Sequence, residues 1–173
     1  MNNIKLKIIP LGEVPRSIME RIREELKPTY HMIATITPAV QLPKSAFNRL
    51  RGQYRSDLLL DFLEKNHEGR ILGITAEDMY ADKLNFVFGQ AKINGRVSII
   101  SICRLNPEFY RQPKNDELFQ ERAVKEAIHE LGHCLGLGHC AKKTCVMSFS
   151  NTIADVDRKT KGLCEMCQVQ LGV

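Results

Sequence analysis

The sequence has no segment that would hold the protein in a membrane. Nowhere among its 173 residues does an apolar run approach the roughly 18 residues that a membrane-spanning helix needs. The apolar stretch IKLKIIPL near the start is short and no small-residue cleavage site follows it, so it predicts a strand rather than a signal peptide. We expect a cytoplasmic protein with no membrane partner.

Repeats and low-complexity segments are also missing. The composition, 43% apolar and 26% charged, is ordinary for one soluble domain with a sizeable core. We predict a single domain over residues 1–173, with an N-terminal part (1–138) and a C-terminal part (139–173). The formal net charge is +5, but lysine and arginine residues are scattered rather than gathered into a patch. We therefore expect no nucleic-acid partner, and we expect a monomer.

Hydrophobic periodicity predicts alternating strands and helices in the first part of the chain. The segments IKLKIIPL, MIATITPAV and GRILGITAEDMYA are typical of strands, and SIMERIREELKPTY is typical of an amphipathic helix. Ser45 is expected to cap a further helical region that runs through LEKN, which Gly52 could interrupt. NFVFGQAKINGRVSIISICRL predicts a hairpin that turns near Asn94-Gly95. The expected fold is mixed α/β (α+β), with a mostly parallel sheet and one antiparallel edge strand.

The most strongly patterned helix lies in QPKNDELFQERAVKEAIHELGHCLGLGH. Asn115 is expected to cap it, and the acidic residues that follow suit the positive end of a helix. An apolar stripe faces the core, formed by Val124, Ile128, Leu131 and Leu135. Beyond Gly138 the periodicity is weak, so we expect a small loop-rich part that ends in a short helix near GLCEMCQVQL.

This helix carries a metal-binding pattern. His129 and His133 are four residues apart, so both imidazoles lie on one face and can reach one zinc ion. Glu130 stands beside the first ligand, where its carboxylate can act as a general base without ligating the metal. Chance would produce His-Glu-x-x-His in about one in a hundred chains of this composition, so the short motif alone is only suggestive.

The motif continues to Gly136 and His139, and the longer pattern would arise by chance in roughly one chain in 10⁵. A continued helix would point His139 away from the other two histidines. Glycine at 136 can take a positive φ, end the helix and return His139 to the metal, and Gly138 adds freedom to the turn. Three neutral histidines leave a fourth position open, which is typical of a catalytic zinc.

A second set of ligands starts at the next residue. The chain has six cysteines but no export signal, so metal ligands are a better interpretation than disulfides. Cys140, Cys145, Cys164 and Cys167 would close a tetrahedral zinc shell with no open position, which predicts a structural site. The alternatives are two unrelated pairs or a redox Cys-x-x-Cys. A redox pair usually starts a helix after a strand, whereas KGLCEMCQ follows a polar loop.

Three nearby residues have structural interpretations. Cys134 lies between ligand positions and is predicted to be a small buried apolar residue. Gly132 costs roughly 1 kcal/mol inside a helix relative to alanine, which a close backbone crossing would explain. Met147 could fill a gap in the core, or pack beneath a three-histidine metal site.

These residues resemble the metzincin metallopeptidases, and within them the archaemetzincin family, whose pattern joins the long zinc motif to a four-cysteine zinc site. The upstream segment NFVFGQA also looks like the family, so the likeness covers most of the chain. The resemblance implies a zincin-like fold, a catalytic zinc on the three histidines, Glu130 as general base and acid, and Met147 as the Met-turn residue. It also implies that NFVFGQA is the edge strand along which a peptide lies, so the expected cleft residues are Phe88, Gly89, Gln90, Ala91 and Phe149.

The chain departs from some metzincins after the Met-turn, where Ser148 and Phe149 stand in place of a tyrosine that ligates zinc or donates to an oxyanion. No propeptide with a blocking cysteine is visible, and Cys103 falls in a predicted strand. The leading hypothesis is a zinc metallopeptidase with two Zn²⁺ per chain, one catalytic and one structural, acting on peptides or unfolded proteins. The rival hypothesis is a zinc-stabilised binding module of metzincin fold with little or no turnover. The sequence does not distinguish endopeptidase from aminopeptidase action.

Overall fold

The computed structural model describes residues 4–172, which form two sheets and five α-helices. The strands are β1 (Ile4–Leu11), β2 (Met32–Ile36), β3 (Phe47–Asn48), β4 (Gln53–Arg55), β5 (Arg70–Thr75), β6 (Met79–Tyr80), β7 (Gly89–Ala91) and β8 (Val97–Ser101). The helices are α1 (Arg16–Tyr30), α2 (Ser56–Asn66), α3 (Asp116–Cys134), α4 (Ile153–Arg158) and α5 (Glu165–Leu171). Short 3₁₀ turns cover Lys44–Ala46, Cys103–Leu105 and Pro107–Tyr110.

The main sheet confirms the predicted topology. Its strand order is β2-β1-β5-β8-β7, with every pair parallel except β7 and β8. β7 therefore forms an antiparallel edge, and the predicted hairpin turns through Asn94, which has a positive φ of 54°. Helices α1 and α3 pack on one face of the sheet and α2 packs on the other. Because both faces are covered, the inner strands are apolar almost throughout, as parallel strands usually are.

The helix predicted from Ser45 is wrong in its first half. Residues 47–55 form a hairpin of β3 and β4, and β4 also pairs with β6, which gives a small second sheet that the sequence analysis did not predict. The Asn48 Oδ1 atom accepts hydrogen bonds from the backbone N–H groups of Leu50 and Arg51, and Gly52 takes a φ of +65°. This turn chemistry outweighs the helical spacing of the apolar residues, and the helix begins only at Ser56.

Helix α3 begins as the sequence predicts. The Asn115 Oδ1 atom accepts a hydrogen bond of 3.0 Å from the backbone N–H of Leu118, and residues 122–134 are all buried. The tail confirms the short C-terminal helix as α5, whereas α4 was expected to be loop. Cys103 starts a 3₁₀ turn just after β8, so its predicted place in a strand is wrong. None of the helices within residues 4–172 is long and apolar enough to cross a membrane.

Candidate active site

The three histidines of the long motif come together at the end of α3. One ligand nitrogen of each of His129, His133 and His139 lies within 4.8 Å of the others, and the Nε2 atoms of the first two are 3.1 Å apart. Tetrahedral zinc with bonds of ~2.0 Å places neighbouring ligand nitrogens ~3.3 Å apart. Without a cation between them, two nitrogen lone pairs at this distance would repel each other. The donor set therefore fits zinc.

Backbone carbonyl groups fix which nitrogen of each buried ring can bind metal. The Nδ1 atom of His129 lies 2.8 Å from the carbonyl oxygen of Val146, and that of His133 lies 2.7 Å from the carbonyl oxygen of Leu137. Because these oxygens only accept hydrogen bonds, each Nδ1 must carry the proton and each Nε2 is left with a free lone pair. Burial lowers the pKa of both imidazoles, that of His129 far below its ordinary value, so both rings are neutral near pH 7.

Gly136 ends the helix as predicted, with a φ of +99°. The N–H of Leu137 donates to the carbonyl of Gly132 at 2.9 Å, and the N–H of Gly136 donates to that of His133 at 3.0 Å, which is the Schellman pattern. The turn brings the His139 ring to within 5.4 Å of the His129 ring, between centroids. Gly138 has no positive φ, so the freedom expected of it is not used.

Glu130 lies in the floor of the site and contacts the edge strand. Its residue exposure is only 5%, and burial raises the pKa of its carboxyl well above the ordinary value, with Glu126 adding to the rise and Lys159 opposing it. A Cβ atom on Gly89 would lie 2.7 Å from both the Cγ and the Oε1 atoms of Glu130. The glycine of β7 therefore leaves the space that the Glu130 side chain occupies.

The four cysteines of the second set also converge. The Sγ atoms of Cys140, Cys145, Cys164 and Cys167 lie within 4.8 Å of one another, and none is in a disulfide. The Cys140–Cys164 and Cys145–Cys167 sulfur pairs are 3.7 and 3.8 Å apart, and a tetrahedral Zn–S distance of 2.3 Å corresponds to ~3.8 Å. The backbone N–H of Cys167 lowers the pKa of the Cys164 thiol to about 7, so this thiol ionises readily. The donor set fits zinc, and a redox pair does not explain four sulfurs at one point.

Met147 packs against α3 at Gly132, and it explains the glycine inside that helix. A Cβ atom on Gly132 would clash with the Sδ atom of Met147 and would lie 2.8 Å from the hydroxyl oxygen of Tyr30. The close neighbours of Gly132 are thus two side chains, so the prediction that a backbone segment crosses there is wrong. Met147 is fully buried. Cys134 is buried as predicted, and its thiol lies 3.4 Å from the carbonyl oxygen of Val97.

A cleft of about 350 Å³ lies over the histidines. Its walls include every cleft residue expected from the sequence, which are Phe88, Gly89, Gln90, Ala91 and Phe149. Phe149 is about half exposed, and its ring lies 5.2 Å from that of His139 between centroids. The edge strand β7 forms one wall, and the segment after Met147 forms another. The cleft is therefore bounded by one segment that precedes the histidine ligands in the sequence and one that follows them.

The chain matches one known family from end to end. The model of peptidase family M54 aligns with residues 1–172. The chain belongs to this family, the archaemetzincins. The archaemetzincin of Methanocaldococcus jannaschii is 45% identical to it over 168 residues, which are 97% of this chain and 93% of that protein. The similarity thus covers the edge strand, the long motif and the tail together.

Solved structures agree with this membership. The crystal structure of the Methanopyrus kandleri archaemetzincin superposes with a TM-score of 0.88 at 41% identity, covering 98% of this chain and 94% of that one. A zinc-dependent peptidase from Methanocorpusculum labreanum gives a TM-score of 0.84 at 29% identity, covering 96% and 99%. As a member of the archaemetzincin family the chain is a zinc metallopeptidase, a hydrolase of peptide bonds. The rival hypothesis of an inactive binding module is not favoured.

Sequence reasoning missed the charged residues that hold α3 against the tail. Arg122 is buried and makes two hydrogen bonds to the carboxylate of Asp157, at 2.7 and 2.8 Å. Lys159 Nζ lies 2.9 Å from Glu126 Oε1, and both side chains are almost fully buried. Glu126 could have been found, because it stands one helical turn before Glu130 on the same face. Its partner Lys159 carries no signal in the sequence.

Proposed function

We propose that His129, His133 and His139 hold the catalytic zinc and that Glu130 is the general base of peptide hydrolysis. The observation that carries this proposal is the geometry of the buried histidines, whose Nδ1 atoms face carbonyl oxygens and whose Nε2 atoms face each other across 3.1 Å. Zinc, when bound, supplies a Lewis acid that polarises the substrate carbonyl and makes water a nucleophile near neutral pH. The long motif and the family membership point to the same assignment.

Glu130 is suited to carry a proton between two reacting groups. Burial raises the pKa of its carboxyl, so its carboxylate is a stronger base than one in free solution. In the proposed reaction a Glu130 oxygen accepts a proton from the attacking water and then donates it to the nitrogen of the leaving amine. Contact with Gly89 limits the positions open to the side chain, which keeps the carboxylate beside the scissile bond.

The substrate is proposed to be an extended peptide or an unfolded segment lying along β7. Within residues 4–172 this strand pairs only with β8, so its other side offers backbone N–H and C=O groups to the cleft. Main-chain pairing of this kind reads an extended shape rather than a sequence. The Phe149 ring forms part of the opposite wall, where it can contact an apolar part of the peptide. We also propose that the enzyme acts as a monomer on peptides.

A second zinc is proposed at Cys140, Cys145, Cys164 and Cys167, with a structural role. The four sulfurs close the shell, so no ligand position is left for substrate. The site joins the segment after His139 to α5, and so ties the C-terminal part (139–173) together beside the N-terminal part (1–138). Two zinc ions per chain follow from this proposal, one in an open site and one in a closed site.

The proposed base is tested by turnover of a mixed peptide library with the wild type and with Glu130→Gln, both loaded with zinc. We expect turnover to fall by at least about a hundredfold, since general acid–base catalysis contributes roughly 10² to 10⁴. The matched control is Glu117→Gln, an exposed glutamate in the first turn of the same helix. Equal rates for Glu130→Gln and the wild type, at equal metal content, would remove Glu130 from the mechanism.

The two zinc sites are tested by graded chelation followed by metal analysis and circular dichroism. We expect one zinc to leave under mild chelation with activity lost and the fold retained, because the three-histidine site opens on the cleft. The second zinc should leave only as the tail unfolds. Release of both ions in a single step that coincides with unfolding would argue against one open and one closed site.

A further inference from the structure

Most of the cleft wall is apolar, but part of it is a polar recess. Three residues form this polar recess, Glu126, Ser150 and Asn151, and all three line the cleft. Glu126 stands one turn before Glu130 on α3, so its side chain is a neighbour of the proposed base. Ser150 and Asn151 come from the opposite wall, between Phe149 and the start of α4. Through Glu126, the recess adjoins the proposed base.

Two groups in the recess lack hydrogen-bond partners. The Oε1 atom of Glu126 accepts from Lys159 at 2.9 Å, whereas its Oε2 atom receives no hydrogen bond from any of residues 4–172. The hydroxyl of Ser150 is buried and has no partner in the same part of the chain. Buried polar groups in folded proteins are nearly always hydrogen-bonded. The buried, unpaired hydroxyl of Ser150 indicates that a bound group completes it, and Glu126 Oε2, which keeps some access to the cleft, can accept a hydrogen bond from the same group.

The charges around the recess restrict what that group can be. Glu126 and Lys159 are an ion pair, so together they contribute no net charge. A lysine or arginine side chain would bring a second positive charge close to the buried Lys159. An aspartate or glutamate side chain would meet the carboxylates of both Glu126 and Glu130. A neutral group that donates to Glu126 and accepts from the Ser150 hydroxyl avoids both repulsions, and a carboxamide does both.

We propose that the polar recess is a specificity subsite for asparagine or glutamine at the substrate position adjoining the scissile bond. This proposal rests on the proposed function, because it requires a peptide in the cleft. The carboxamide NH₂ donates to Glu126 Oε2, and its oxygen accepts from the Ser150 hydroxyl. Lys159 holds the Glu126 carboxylate and balances its charge, so it acts as a positioning residue that does not touch the substrate.

The test compares peptides that differ only in glutamine against methionine, which has a similar shape but no donor, placed on either side of the scissile bond. We expect the wild type to prefer glutamine at one of these positions by about tenfold in kcat/KM, as a hydrogen bond to a charged acceptor allows. The double variant Glu126→Leu/Lys159→Met removes both partners, so no buried charge is left alone. The glutamine-to-methionine ratio of kcat/KM should fall to about one in this double variant. In Ser150→Ala the ratio should fall to an intermediate value.

The matched control is Glu121→Gln/Lys125→Met, which removes another ion pair of α3 that does not line the cleft. Its preference should equal that of the wild type. A wild-type preference near one, a preference for lysine over glutamine, or an unchanged preference in the Glu126→Leu/Lys159→Met variant would overturn the proposal.

Peptide affinities measured by calorimetry on Glu130→Gln separate this inference from the proposed function. If the wild type cleaves no peptide, the proposed function fails. The ratio of the affinities for the glutamine and methionine peptides then still shows whether the subsite exists. If peptides are cleaved but that ratio and the kcat/KM ratio are both near one, the subsite fails and the proposed function stands.

Discussion

The histidine site and the cysteine site share one segment of chain and differ in almost every other respect. His139 and Cys140 are adjacent in sequence, but the three nitrogens face a cleft and the four sulfurs face one another. The histidine rings are oriented by backbone carbonyl groups, which fix the tautomer. Among the cysteines, a backbone N–H lowers the pKa of the Cys164 thiol, whereas burial raises the pKa of the Cys140 and Cys167 thiols. This difference in geometry is the basis of the two proposed roles, chemistry at the three nitrogens and stability at the four sulfurs.

The strongest test of this contrast is removal of one histidine. His133→Ala should lower peptide turnover more than a thousandfold, because loss of the metal removes several kcal/mol of transition-state stabilisation. One zinc per chain should remain, and the melting temperature should change far less than the activity. Metal analysis and thermal unfolding of the same sample check both points. Loss of both zinc ions would contradict the independence of the two sites.

Removal of one cysteine should have the opposite pattern. Cys145→Ser should lose the other zinc and at least about 3 kcal/mol of stability, since structural zinc contributes folding free energy. For a chain of this length that corresponds to a drop on the order of 10 °C in melting temperature. Limited proteolysis should show cleavage in the C-terminal part first. Cys134→Ser, a buried cysteine outside the cluster, is the control and should keep both zinc ions.

A methyl group on the edge strand should disturb the histidine site without unfolding it. Gly89→Ala places a Cβ atom 2.7 Å from Glu130 Oε1, so the carboxylate must move. Small misplacements of reacting groups can cost about a hundredfold, and we expect kcat to fall between tenfold and a hundredfold with stability nearly unchanged. Gly162→Ala, whose nearest neighbour would be 3.7 Å away, should have wild-type kinetics. Unchanged kcat in Gly89→Ala would show that Glu130 is not confined by the strand.

The smallest expected effect is a change in stability where α3 contacts Met147. Gly132→Ala should lose about 1–2 kcal/mol of stability, because overpacking costs more than the improved helix propensity gains. Met147→Ala will also destabilise by leaving a cavity. The double variant should lose less than the sum of the two single changes, since the methyl group then occupies space that Met147 has left. Additive losses in chemical denaturation would show that the two residues do not share this space.

Much of the fold followed from local patterns. The strand β1, the capped helix α3 and the hairpin at Asn94 were predicted because each carries a hydrophobic period and a turn or cap signal. The helix predicted from Ser45 was wrong in its first half because the apolar spacing there suits a helix, whereas Asn48 and Gly52 favour a turn. The short helix α4 was missed because six residues are too few to show a period, although Thr152 and Asp155 form a capping box.

The sequence by itself determined the candidate ligands of both sites, because ligand type and spacing are local properties of the chain. The spacing of the histidines and of the cysteines identifies the candidate donors, including Cys164 and Cys167 in the tail, and a glycine at 136 predicts the turn that returns His139 to the other histidines. Only the tertiary structure decided which groups surround them. Gly89 against Glu130, Met147 under Gly132, and Lys159 on Glu126 are all contacts between segments distant in the chain. Such contacts depend on how the sheet, α3 and the tail pack together, and no local sequence pattern predicts them.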